Sequence, residues 1–255
     1  MSRIRKAYET RFRWLLQQIG ARRLDQGVQW LVREAQRLSS QENTPLSNGL
    51  TRVFEELAAR PAFAKAHSGP APTKFFCDAG LGGLARWLRA AGYEAFWIEH
   101  IDDDELLREA QKRSATLLTT DSMLMERRIL RDRVLPSFWL PPTLSIHHQL
   151  ELVFREFDLD LKPPRCMSCG GELVRCEKES VGARIPPKTY RWLDEYFVCA
   201  QCGKLFWHGT HWRRISQTLR ELGGGSLEAA ATHRGDFPIG AEQSPHPRPP
   251  SGRRL

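Results

Sequence analysis

Apolar residues recur at helical spacing through the first part of the chain. Ile4, Tyr8, Phe12, Leu15 and Ile19 make one stripe, Val28, Leu31, Ala35 and Leu38 a second, and Leu50, Val53, Phe54 and Leu57 a third. Three amphipathic helices are therefore expected over residues 1–61. The string AKAHSGPAPT, rich in small residues, Gly and Pro, reads as a linker across 62–73. From Lys74 the pattern changes. KFFC is a short apolar strand, and Leu81, Leu84, Ala85 and Leu88 form a helical face that stops at Gly92, a suitable C-terminal cap. EAFWI from Glu94 is a second strand, Leu106, Leu107 and Ala110 mark a helix, and ATLLT from Ala115 is a third strand. A helix from about Ser122, an apolar piece VLPSFWL and a helix carrying Ile146, Leu150, Val153 and Phe157 complete the unit. Strands separated by single helices imply an α/β domain over 74–161, its parallel sheet flanked by helices. Residues 162–222 form a further small module, and the aperiodic Gly-, Pro- and Arg-containing tail over 223–255 is expected to be disordered.

Composition narrows the class without choosing a function. With 41% hydrophobic and 27% charged residues the chain reads as an ordinary soluble protein. No apolar run is long enough for a membrane span, and MSRIRKAYETRFRW lacks the apolar core of a signal peptide, so a cytoplasmic protein is expected. The net charge of +8 is unevenly spread. Residues 1–73 carry twelve Lys and Arg against six acids and residues 161–222 eleven against six, whereas residues 74–160 carry eleven against fifteen. Basic segments on both sides of an acidic centre suit a polyanionic partner; equally, they suit solubility alone.

Four of the six cysteines form two C-x2-C pairs, Cys166 with Cys169 and Cys199 with Cys202, separated by twenty-nine residues. Two such knuckles bring four thiolates to the corners of a tetrahedron, the donor set and geometry of a structural Zn2+ site. Gly170 and Gly203 follow the pairs where the chain must turn tightly and aim amides at sulfur. Four protein ligands leave no position for a catalytic water, so the ion is expected to build a zinc ribbon rather than do chemistry. Cys77 reads as a small buried hydrophobe and Cys176 as a spare thiol.

Carboxylates gather after the strands of the α/β unit. Asp78 follows KFFC, Asp121 follows ATLLTT, and Asp102, Asp103 and Asp104 lie in the loop after EAFWI. Ligands of parallel α/β sheets bind beyond the carboxyl ends of the strands, and clustered carboxylates are usually neutralised by Mg2+ or Mn2+. Each acid also has a local reading: Asp102 with Glu105 as a capping box, Asp121 as the cap of the following helix, Asp78 as the holder of a turn.

The ordered succession FFCDAGLGGLARWLRAAGYEA, DDELL, LLTTD, RIPPKTY between the cysteine pairs, and CGKLFWHGTHWRRI resembles the Mut-seven carboxy-terminal ribonuclease domain, from about Lys74 to Arg214. That resemblance implies a PIN-like nuclease fold carrying its own zinc ribbon. It implies a metal-dependent endoribonuclease with catalytic Mg2+ or Mn2+ held by Asp78, Asp103 and Asp121. Asp103, eighteen positions before Asp121, matches the family's spacing, with Asp104 in reserve and Asp102 or Glu126 as a fourth acid. Arg86 and Arg89 extend from the first helix of the unit, where they suit phosphate binding or a solvent face, the latter reading being taken for Arg89. Trp207, His208, His211, Trp212, Arg213 and Arg214 mix aromatics with cations near the second knuckle, a combination suited to single-stranded RNA; for Trp207 and Trp212, packing of the ribbon is the alternative. His208 and His211 are not needed as zinc ligands. From another functional class comes an RNA-binding or adaptor protein that keeps the PIN-like fold without turnover. A toxin paired with an antitoxin, a role found among PIN domains, is a third reading.

Overall fold

The computed structural model describes residues 3–58, 60 and 70–222; most of the segment read as a linker and all of the tail lie outside them. The three amphipathic stripes form helices α1 (Arg3–Gln18), α2 (Leu24–Gln41) and α3 (Leu46–Ala58). Their apolar faces are buried through Tyr8, Phe12, Leu15, Val28, Leu31, Ala35, Leu50, Val53 and Phe54, while Ile4 and Ile19 at the ends of the first stripe remain exposed. Gly49 lets α3 lie close against α2, because a Cβ there would come within 2.1 Å of the Ala35 carbonyl oxygen.

The α/β unit contains β1 (Lys74–Cys77), α4 (Gly82–Ala90), β2 (Glu94–Trp97), α5 (Asp103–Lys112), β3 (Thr116–Thr119), α6 (Arg128–Arg131), β4 (Ser137–Trp139) and α7 (Ile146–Phe157). The strands are all parallel in the order β2-β1-β3-β4, with Cys77 opposite Trp97 on one side and Leu118 on the other. Successive side chains alternate faces. Phe75, Cys77, Leu118 and Phe138 pack with Leu84, Leu88, Leu150 and Phe157 of α4 and α7. Phe76 and Leu117 pack with Leu106, Leu107 and Ala110 of α5 on the other face. Gly92 has φ +94° after α4, and its site has no room for a Cβ against Lys162, as a glycine cap requires.

Two elements depart from the sequence expectation. VLPSFWL contains β4, a strand too short to show a period of its own. The helix expected from Ser122 is instead a 3-10 turn, Leu124–Glu126, followed by the single turn α6, because Arg127 between them has an extended ψ of 134°.

The C-terminal module pairs β5 (Leu173–Cys176), then, after the short helices α8 (Lys178–Val181) and α9 (Pro187–Trp192), β6 (Tyr196–Cys199) and β7 (Leu205–Trp207) in an antiparallel sheet of order β5-β6-β7. The last helix, α10 (Thr210–Leu222), returns to α7 and buries Trp212, Ile215 and Leu219 in the core that α4 and α7 share.

The same core continues into the N-terminal helices. Tyr8 and Phe54 meet the Trp139 ring edge-on, at centroid distances of 5.4 and 5.7 Å, and the Tyr8 hydroxyl lies 2.8 Å from both Thr51 and Thr143. A core shared in this way predicts one cooperative transition. In urea, helical signal and tryptophan fluorescence should change together, and Tyr8→Phe should lower stability by about 1–2 kcal/mol through removal of its hydroxyl hydrogen bonds.

Candidate functional site

The two cysteine knuckles close at the head of the C-terminal sheet. The four Sγ atoms all lie within 4.8 Å of one another, with Cys166 to Cys202 at 3.7 Å and Cys169 to Cys199 at 3.4 Å. Four thiolates bound tetrahedrally at ~2.3 Å from zinc would stand ~3.8 Å apart. Gly170 (φ +83°) and Gly203 (φ +67°) make the turns, and the Gly171 and Cys202 amides point at the Cys169 and Cys199 sulfurs from 3.4 and 3.5 Å. This cluster can hold a metal ion such as zinc.

Arg89 belongs to this region, which corrects its assignment to a solvent face. It is only 5% exposed. Its Nε donates to the Ala95 carbonyl of β2 at 2.7 Å, and its Nη1 donates to the Met167 and Ser168 carbonyls at 3.1 and 2.9 Å. The guanidinium thus spans from the parallel sheet to the loop between the first two cysteines. A planar cation with several donors suits both tasks, since four thiolates around a divalent ion carry net negative charge.

The acidic site follows from the sheet rather than from a local motif: strand order reverses between β1 and β3, and the crevice beyond their carboxyl ends is the expected ligand position. Asp78 stands there, 8% exposed. Its Oδ1 accepts from the Gly80 amide at 3.0 Å, and its Oδ2 accepts from the Thr119 hydroxyl at 2.6 Å and the Thr120 amide at 2.9 Å. Burial raises the Asp78 pKa, these three donors oppose the rise, and the charge of Asp121 adds to it. Asp121 is exposed; its amide donates to Thr119 Oγ1 at 2.9 Å, and its Oδ1 accepts from the Met123 amide at 2.7 Å. The turn reading of Asp78 and the capping reading of Asp121 are therefore both realised, and neither uses up the carboxylate's acceptor sites.

Sequence reasoning missed three residues that shape this crevice. Thr119, fully buried, donates its hydroxyl to Asp78 and accepts from the Asp121 amide, so a single oxygen fixes one acid against the other. Trp97 at the end of β2 donates Nε1 to the Ala79 carbonyl at 3.0 Å, and Gly82 leaves the space for its indole. Trp139 at the end of β4 donates to the Thr120 carbonyl at 3.1 Å. Each flanking strand thus lends an indole to one acid-bearing loop. Trp97 fell within an expected strand, whereas Trp139 lay in an apolar piece with no expected element, and the targets of both depend on strand order.

Asp103 opens α5 on the β2 side, exposed, one residue after Asp102, whose side chain caps the helix by accepting from the Glu105 amide at 2.9 Å. Asp104 pairs with Arg127, tying that helix start to the segment after Asp121. β1 separates β2 from β3, so two strand spacings, ~10 Å, stand between the loops of Asp103 and Asp121. Among the described residues, the cysteines are the one group of three or more potential ligands with donor atoms mutually within 4.8 Å; Asp78, Asp103 and Asp121 do not form a second. Glu126 is exposed on the 3-10 turn.

Arg86, Arg213 and Arg214 are exposed, on α4 and α10 respectively. Trp207 is half-buried against Val181, Ile185, Tyr196 and Leu205, and Trp212 is buried beside α7, so packing accounts for Trp212. His208 Nδ1 lies 3.2 Å from Glu195, away from any ligand role among the cysteines, and His211 is exposed. Cys77 is buried, and burial drives its thiol pKa strongly upward; Cys176 is half-buried at the end of β5.

Residues 73–219, more than half of the chain, match the family model described as the Mut7-C RNAse domain. No curated protein and no solved structure matches the chain. Along the described residues no helix is long and apolar enough to cross a membrane.

The role of Arg89 has a direct measure. Arg89→Met should weaken zinc retention by roughly 10–100-fold in competition with a chromogenic chelator, the usual loss when a residue orienting the ligands is removed. Arg86→Met on the same helix should leave retention unchanged.

Proposed function

Because the chain belongs to the Mut7-C RNAse domain family, we propose that it is a divalent-metal-dependent endoribonuclease whose acids are Asp78, Asp121 and Asp103. The observation that carries this reading is the burial of Asp78 at the β1/β3 crevice beside a second carboxylate. A protein rarely buries an acid next to another without a cation or a function to balance it. The donors present are hard carboxylate oxygens, the set that Mg2+ and Mn2+ select. Bound there, such an ion would neutralise charge on a phosphodiester and lower the pKa of an attacking water.

The chain's own residues have separate tasks. Gly80, Thr119 and Thr120 donate to Asp78, which favours its ionised form and fixes one rotamer. Asp121 contributes the second carboxylate, aimed by the Thr119 and Met123 contacts. Asp103 approaches from the β2 side at the start of α5, where three acids and a helix N-terminus also favour one another. Exposed Arg86, Arg213 and Arg214 supply cations for the RNA backbone and Trp207 an aromatic edge for an unpaired base. The four cysteines hold Zn2+ in a closed structural site, and the C-terminal module is a zinc ribbon.

That Asp78, Asp103 and Asp121 do not gather into one ligand group favours a second reading, an RNA-binding protein that keeps the fold without turnover. It expects salt-sensitive RNA binding and no metal-dependent cleavage.

Cleavage of a single-stranded RNA with Mn2+ distinguishes the two. Asp78→Asn and Asp121→Asn should each lower the rate by at least about 100-fold, the scale of a lost electrostatic group; wild-type rates in both would overturn the site. pH provides a second check. A raised folded-state pKa means that native Asp78 binds its proton more tightly than the unfolded chain does. Its ionisation therefore costs stability as pH rises through the folded value, and a cation offsets that cost. Stabilisation by Mn2+ in thermal melts should accordingly weaken on acidification as protons compete for Asp78, and should be small at all pH in Asp78→Asn.

A further inference from the structure

A groove of about 1280 Å3 runs along β4 from the amino ends of β1, β3 and β4 to Trp139, walled on one side by α1 and on the other by these strands and α6. Pockets for small ligands span roughly 300–1,000 Å3, so this volume suits a length of polymer. One end reaches Ser122 and Glu126, next to Asp121, and Trp139, which holds the Thr120 carbonyl, lines the same end. Its lining carries six cations, Arg11, Arg13, Lys74, Arg131, Arg133 and Arg155, against three acids, Glu126, Glu156 and Asp158.

In its lining the Arg11 guanidinium lies 3.8 Å and that of Arg133 5.8 Å from the centroid of the Trp14 ring. Arg11 Nε is buried with no hydrogen-bond partner among the described residues. Burial lowers the Arg11 pKa to about 10; Glu156 opposes that shift and Arg133 adds to it. A donor left unpaired beside a like charge is costly unless an anion completes it.

We propose that this groove is the single-stranded RNA path to the acidic site, with Arg11, Arg13, Arg133 and Arg155 binding phosphates and Trp14 holding the Arg11 guanidinium in place. The inference rests on the ribonuclease reading and extends it to the helices that precede the family match, since α1 supplies Arg11, Arg13 and Trp14. A positively charged groove that tracks the backbone is the means by which proteins hold unpaired strands with little sequence preference.

The test is equilibrium binding of a fluorescent single-stranded RNA to the full chain carrying Asp121→Asn, at several salt concentrations. Adding Arg13→Glu with Arg155→Glu, both at the groove's rim, should weaken binding by roughly tenfold or more and flatten the log–log salt slope by about 0.7 for each phosphate that is no longer neutralised. Arg11→Gln should weaken it as well. Arg33→Glu, exposed on α2 away from the groove lining, serves as the charge control. Unchanged affinity and slope in the double variant, an equal loss in Arg33→Glu, or no RNA binding by the parent would each overturn the groove. The Mn2+ cleavage comparison of Asp78 and Asp121 variants is read without these arginines, so the ribonuclease reading stands or falls separately.

Discussion

Strand order is the constraint on which the acidic site depends. With β1 between β2 and β3, the loop after β1 has a neighbour on each side, and Asp78 falls at the crevice where the sheet changes direction. A carboxylate buried there loses most of its hydration, and only local donors can replace it. The parallel register provides them: Cys77 lies opposite Leu118, so the residues that follow, Asp78 just beyond β1 and Thr119 on β3, come within 2.6 Å through their side chains. Thr119 then sets Asp121 through the backbone amide, and the two acids share one oxygen as their spacer.

Distant parts of the chain bear on this crevice through two indoles and one guanidinium. Tyr8 and Phe54 brace Trp139, which holds the Thr120 carbonyl, so the N-terminal helices are two contacts from Asp121. Trp97 performs the equivalent task for the Asp78 loop. On the far side, Arg89 joins the Ala95 carbonyl of β2 to the carbonyls between Cys166 and Cys169. The small antiparallel module has little core of its own in Val181, Ile185, Tyr196 and Leu205. The four-cysteine cluster that can hold a metal ion, Arg89 and the return of α10 onto α7 compensate for that deficit.

Charge follows the same division. The acidic surplus lies in the segment that carries Asp78, Asp103 and Asp121, and basic surplus lies before and after it. In the fold the preceding basic segment contributes Arg11 and Arg13 to a groove ending at the acidic loop, and the following one presents Arg213 and Arg214 on α10. Attraction at the periphery and repulsion at the centre are complementary requirements for a polyanion that must be held near paired carboxylates.

Local chemistry was legible in the residues alone. Two C-x2-C pairs with glycines behind them specify a sulfur cluster, Gly92 specifies the end of α4, and strand-terminal Asp78 and Asp121 specify a shared edge, because each rests on spacing of a few residues. The helical stripes of residues 4–57 likewise declared their buried faces. Periodicity does not say which surface such a face will cover, and only the fold placed it against Trp139. It could not reveal that Arg89, by its spacing one more cation on an amphipathic helix, would find the Ala95 carbonyl on β2 and two carbonyls far along the chain, Met167 and Ser168, and become buried. Nor could it supply the Thr119 bridge or the groove beside β4, since strand order and the docking of α1 create both. Spacing along the chain determined which groups could ligate; packing across it decided which of them meet.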